Sequence, residues 1–315
     1  MAVKRLILIH GRDFKPNKSD LKALWMQALR HGIRRDHPAL LQSFDSVEKH
    51  FVYYGKQSEA CLHGEGRSYD KAQDLNNRRL CLKALKTWQR EDFLGPKGAS
   101  NYRSLHGRSG TAQRLADLLA SPMKTMRLDE FAITKVAPDM RYYWNWDSAY
   151  GSNLRWSLTG PLGEALERKE DVMLISHSLG TMIAFDVLWK FSYYGEYQGL
   201  RSKGAKVSHW LTLGSPLGNE TVKQRFKGAN ATGDRRYPTM IRKWTNMAAK
   251  DDFISHDEDL ANDYRKMVGS HLSEPIRDLE VYNLAVRGSK SNPHHGAGYL
   301  VLPQVADAVA DWLSG

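Results

Sequence analysis

Residues Leu174 to Ile183, LISHSLGTMI, run from an apolar stretch into a serine and straight on into a helix-like sequence. With no loop between the two, the chain must turn sharply from a buried strand into a helix. Around this junction, short β-branched or leucine-rich runs alternate with longer helical patterns. That alternation predicts an α/β fold: a doubly wound, mostly parallel sheet built from βαβ units. The strands are expected at Arg5–Ile9, Lys49–Tyr54, Val172–Ile175, Lys206–Leu213, Met240–Asn246 and Leu279–Val286.

The first helix is expected to follow Ser19 as its cap, with Leu21, Leu24, Trp25, Ala28 and Leu29 on one face. Further helices are expected over Asp70–Glu91, Thr111–Ala120, Leu128–Tyr143 and Thr181–Phe191. A last amphipathic helix over Pro303–Leu313 repeats Val305, Val309 and Leu313 at every fourth position. The glycines and proline of FLGPKGASNYRSLHGRSG, residues 93–110, mark a mobile loop. At 315 residues the chain is read as one α/β domain, 1–315, with a helical insertion or cap over 56–151.

Composition narrows the function classes. The formal charge of +11 invites an anionic partner, but the basic residues are scattered among Asp and Glu. No dense Lys/Arg tract or nucleic-acid module is present, so a solvated basic surface is expected and no nucleic-acid partner. No apolar run approaches the roughly 20 residues of a membrane span, and Leu6 to Ile9 is too short for a signal peptide. Two cysteines, Cys61 and Cys81, make no disulfide framework and lack metal-site spacing. A cytoplasmic protein without metal or organic cofactor is the expectation, with its oligomeric state open.

The chemistry gathers at strand ends. In Ser176-His177-Ser178-Leu179-Gly180 the central serine has the setting of a nucleophile elbow, whose flanking positions must be small where strand gives way to helix. Gly180 meets that need; Ser176 adds a Cβ and a hydroxyl. The competing role for Ser178 is a helix N-cap. A nucleophilic serine needs a base and an orienting acid, expected in the order Ser, Asp or Glu, His. The strand ending near Asn246 leads to Asp251 and Asp252, and the last strand leads to His294 and His295. An oxyanion hole would use the backbone N–H of Leu179 and that of Gly11 or Arg12, after the first strand.

These stretches resemble the α/β-hydrolase superfamily, particularly its bacterial lipase- and esterase-like serine hydrolases. LILIHGR is similar to the opening strand and oxyanion loop, VMLISHSLGTMIAFDVL to the elbow and its helix, and LTLGSPLG to the strand that follows. DDFISHDEDLANDY resembles the acid loop, and NPHHGAGYLVLPQVADAVADWL the histidine loop and final helix. The resemblance implies Ser178 as nucleophile. It implies Asp252 rather than Asp251 through Asp252-Phe253-Ile254, and His294 rather than His295 through an Asn-Pro-His element. The chain departs from the pattern at Ser176, where glycine is usual, and in opening directly on the oxyanion strand.

The implied activity is cleavage of a carboxylic ester in a small-molecule or lipid-like acyl substrate. A thioesterase or amidase on the same triad, or a non-catalytic binding protein of the same fold, are the alternatives. Other features take plainer expectations. His177 packs beside the serine, and the histidine passed over, His295, lies at the surface. The acidic run Asp257 to Asp259 is a solvated face, since it lacks the glycine and spacing of a calcium loop. Trp144, Trp146 and Trp156, near Tyr142 and Tyr143, pack a core rather than line a pocket.

Overall fold

The computed structural model describes residues 2–106, 138–145, 147–255, 259–288 and 290–315. Six parallel strands form one sheet: β1 (Lys4–Ile9), β2 (Glu48–Val52), β3 (Asp171–His177), β4 (Val207–Leu213), β5 (Ile241–Ala249) and β6 (Arg277–Val281), in the order β2-β1-β3-β4-β5-β6. Parallel strands need long crossovers, and helices provide them. On β1 and β3 successive side chains feed opposite apolar layers, as the two-residue period of a strand requires. Ile7, Ile9, Val172 and Leu174 join one layer; Leu6, Leu8, Met173 and Ile175 join the other. Burial on both faces explains why LILI and VMLI read as unbroken apolar runs.

The first layer is closed by α6 (Ala149–Glu167) and α7 (Leu179–Tyr193). The second is closed by α1 (Lys18–Asp36), α3 (Lys71–Leu85) and α9 (Pro303–Ser314). The other helices that matter below are α2 (Gly55–Gly64), α4 (Gly95–His106), α5 (Pro138–Trp144) and α8 (Gly296–Leu300). Helices therefore cover both faces of a parallel sheet. No helix among the described residues is long and apolar enough to cross a membrane.

Several elements depart from expectation. The first helix is capped by Asn17, whose side chain accepts from Asp20 N, and not by Ser19. The segment read as a mobile loop contains helix α4. Its proline, Pro96, sits in the first turn, where a missing N–H costs nothing. Tyr102 then pins α4 to the second layer. The helix expected over Asp70–Glu91 stops at Leu85, and Arg90–Phe93 forms a separate 3-10 turn. The last strand ends at Val281, because buried Asn283 turns the chain away by donating to Pro293 O and His295 O, at 2.8 and 3.1 Å. A two-stranded ribbon, β7 (Val286–Arg287) against β8 (Lys290–Ser291), follows. The helix expected at Thr111–Ala120 and most of Leu128–Tyr143 lie outside the described residues, as do Trp146, Asp257 and Glu258.

Candidate active site

The strand order reverses at β1, with β2 on one side and β3 on the other. Such switch points open a crevice at the carboxyl ends of the strands. Ser178 stands there, directly after β3, with φ 55° and ψ −126°. A positive φ on a non-glycine residue costs on the order of 1–3 kcal/mol and persists only where neighbours hold it. Here the Ser178 N–H donates to Leu213 O at 3.0 Å, at the end of β4. From the first turn of α7, Thr181 donates to Ser178 O through its N–H at 2.9 Å and its hydroxyl at 2.7 Å.

Close approach explains two glycines. A Cβ on Gly180 would lie 2.6 Å from His10 O, and one on Gly11 would lie 2.6 Å from the Ser178 Cβ. The loop after β1 thus rests directly on the turn at Ser178. Ser176 is tolerated because its side chain is used: fully buried, its Oγ accepts from Trp210 Nε1 at 2.8 Å and donates to Leu211 O at 3.3 Å.

The residues singled out in the sequence meet here. His294 Nε2 lies 2.8 Å from Ser178 Oγ, and its Nδ1 lies 2.9 Å from both carboxylate oxygens of Asp252. With Asp252 accepting at Nδ1–H, the neutral imidazole presents Nε2 as an acceptor to the serine hydroxyl. The neighbouring acid is placed differently. Asp251 is exposed, at φ 58°, and accepts from the Tyr102 hydroxyl at 3.1 Å. Asp252 is 3% exposed. Burial opposes its charge, but the His294 imidazole, the Tyr299 hydroxyl and the Ile254 N–H together hold its carboxyl below the usual range.

His295 is not the surface residue expected. Although only partly buried as a residue, its imidazole packs near Cys81, with Nδ1 3.9 Å from Sγ, and burial together with nearby Arg78 pushes its pKa down to about 3. His177 does pack beside the serine, its ring centroid 4.7 Å from that of His294. Burial and the neighbouring His294 push its pKa well below the ordinary value. Its neutral ring donates from Nε2 to His294 O at 3.0 Å, so it also braces the histidine loop.

The loop after β1 is held in one orientation. The Tyr54 hydroxyl donates to His10 O at 2.6 Å, and the Tyr54 N–H donates to His10 Nε2 at 3.1 Å. His10 Nδ1 is then the donor to Gly11 O, at 2.8 Å. Burial pushes the pKa of His10 down to about 3, which keeps this tautomer neutral. In a trans peptide the C=O and the next N–H point in opposite directions. Pinning the His10 and Gly11 carbonyls therefore turns the Gly11 and Arg12 N–H groups away from those partners.

Further along, Asp139 of α5 accepts from Arg12 Nε at 2.8 Å and from Asp13 N at 2.9 Å. The buried ammonium of Lys15 donates to the carbonyls of Arg12, Asp13 and Phe14. Leu179 opens α7, where a helix leaves its first N–H groups without intrahelical acceptors. The site thus couples a strained serine, an imidazole and a carboxylate in one hydrogen-bonded chain, beside backbone donors of the β1 loop and a helix N-terminus.

The sequence reading missed Tyr299, Tyr54, Asp139 and the pairing of Ser176 with Trp210. Tyr299 had a signal: it falls five residues after His294 in an apolar turn, where a buried phenol needs a partner. The aromatic residues of the middle region divide. Tyr143 and Trp144 are buried, with the Tyr143 hydroxyl donating to Asp186 Oδ2 at 2.6 Å, whereas Trp156 is 68% exposed. Asp259 caps a short helix, accepting from Asn262 N at 3.0 Å. Comparison of the chain with protein-family models and with curated protein sequences found no match.

Proposed function

We propose that the chain is a serine hydrolase of the α/β-hydrolase type that cleaves a carboxylic ester. The observation that carries this reading is the continuous hydrogen-bonded path from Ser178 Oγ through His294 to Asp252, with Ser178 held at positive φ. Ser178 attacks the acyl carbon as its proton passes to His294 Nε2. Asp252 keeps the imidazole in the tautomer that can accept, and offsets the imidazolium charge that forms.

The tetrahedral oxyanion is received by the N–H of Leu179 and by that of Gly11 or Arg12. Removing one such donor costs about 3–4 kcal/mol of transition-state stabilisation in comparable enzymes. His294 then protonates the departing alcohol, and water repeats the sequence to release the acid. The scheme uses no metal or organic cofactor.

The experiment is hydrolysis of short p-nitrophenyl esters, paired with intact-mass detection of a fluorophosphonate adduct, for wild type and Ser178→Ala. The expected result is one adduct on the wild type, none on the variant, and turnover at least about a thousandfold lower in the variant. Equal turnover in the two folded proteins would overturn the proposal. A matched set of ester, thioester and amide substrates tests the leaving group, and a strong thioester preference would replace the ester assignment.

A further inference from the structure

We propose that Tyr299 is a positioning residue for this site, fixing Asp252 against His294 through a single directed hydrogen bond; the inference rests on the triad reading above. The phenol is fully buried on α8, one turn after the histidine loop. Its oxygen accepts from the Ala249 N–H at 2.8 Å, at the last residue of β5. With that side occupied by a donor, the hydroxyl proton points to Asp252 Oδ2, 2.6 Å away. Burial and the adjacent Asp252 raise the phenol's pKa well above the ordinary value, so it stays a donor throughout the working range of pH.

Asp252 has a small number of acceptor directions, and each is assigned. Ile254 N–H takes Oδ1 at 3.1 Å, Tyr299 takes Oδ2, and His294 Nδ1 lies across both oxygens. Tyr299 therefore does two things to the pair. It stops the carboxylate from rotating out of the imidazole plane, and it withdraws part of the charge that would otherwise hold an imidazolium. The second effect has a definite sign. A carboxylate relieved of one hydrogen bond binds the imidazolium more tightly, and the base stays protonated to higher pH.

The other groups facing His294 are distributed around it. His177 of β3 is neutral and donates to the His294 carbonyl. Asp251 accepts from the Tyr102 hydroxyl of α4. His295, preceding α8, is held neutral by burial, and Lys15 of the β1 loop engages three backbone carbonyls. Asp252 takes its hydrogen bonds from Tyr299, the Ile254 N–H and His294 itself.

The test reads the pH dependence of fluorophosphonate labelling at Ser178, which needs no knowledge of the natural substrate. In Tyr299→Phe the acid limb of the labelling rate should move up by about half a unit to one unit, and the plateau rate should fall about fivefold. A 3-fluorotyrosine placed at position 299 is a stronger donor and retains the shape. It should move the limb in the opposite direction with little loss of rate, and it keeps the test decisive if Tyr299→Phe fails to fold. Superimposable pH profiles for wild type and either folded variant, or shifts of the same sign in both, would overturn the positioning role. Failure of the wild type itself to label would overturn the triad reading instead, so the two ideas fail separately.

Discussion

Ser176 stands where the turn at Ser178 asks for the smallest side chain, and its hydroxyl is the acceptor for a buried indole. Ser176→Gly should leave the Trp210 N–H without a partner and cost about 1–3 kcal/mol of stability. The strand–turn–helix path is unchanged by it, so labelling at Ser178 should stay within a few-fold of wild type. Urea unfolding read beside the labelling rate checks this, and loss of labelling in a folded variant would give the hydroxyl a direct part in the chemistry. The two aspartates provide a sharper contrast. Asp252→Asn should slow ester turnover about ten-thousandfold by reversing the imidazole tautomer. Asp251→Asn, at an exposed residue outside the Ser178–His294–Asp252 path, should leave turnover within a few-fold; equal losses in the two would contradict the assignment. Ser178, Asp252 and His294 were legible because each sits in a short local pattern at a strand end. Tyr54 and Trp210 were not, because their partners lie 44 and 34 residues away and nothing local marks them; Tyr299 sits close after His294, but its partner lies 47 residues away.

Among the elements, the contact between β1 and the start of α7 decides whether the site can close. A methyl on Gly180 would meet the backbone oxygens of His10 and Ile9 at 2.6 and 2.9 Å, and backbone cannot step aside as a flexible side chain can. Gly180→Ala should therefore cost about 1–3 kcal/mol and slow labelling by separating the helix from the loop. Gly64→Ala serves as the control, since its Cβ would have no heavy atom within 4 Å. Helix propensity favours alanine at both positions, so comparable losses from both changes would mean that close approach at Gly180 does not govern. Strands β1 and β3 could be read from sequence because burial on both faces leaves unbroken apolar runs. Helix α4 could not, because its Gly95, Pro96 and Gly98 are the residues that also punctuate loops. Only the placement of Tyr102 in the layer beneath identifies them as a helix start. The end of β6 was equally hidden, since a buried Asn283 that redirects the chain looks in sequence like any polar residue near a strand.

For the whole molecule, several histidines are folded into places where a proton is unwelcome. Burial pushes the pKa of His10 and His295 down to about 3, and that of His209 down to about 4. Their unfolded values lie near 6.5, so below that pH the unfolded chain binds protons that the native state refuses. Their contribution to stability is present above about pH 6.5 and is lost as pH falls, toward 4 for His209 and toward 3 for His10 and His295, a loss of about 2 kcal/mol from each at pH 5. The urea midpoint should fall accordingly between pH 7.5 and pH 5; a constant midpoint would show that these imidazoles are reached by solvent. The strand order has its own consequence, for the time course of synthesis. Lys4 of β1 pairs with Asp171 of β3, a separation of 167 residues. On a ribosome, β1 can find β2 early, yet its other edge stays open until more than half of the chain has been made. Contacts between such distant segments form slowly, and the unpaired LILI edge is meanwhile a template for neighbouring chains. Recovery of active protein after dilution from denaturant should therefore decline as chain concentration rises, and a holdase that shields nascent chains should raise the yield without altering the finished fold.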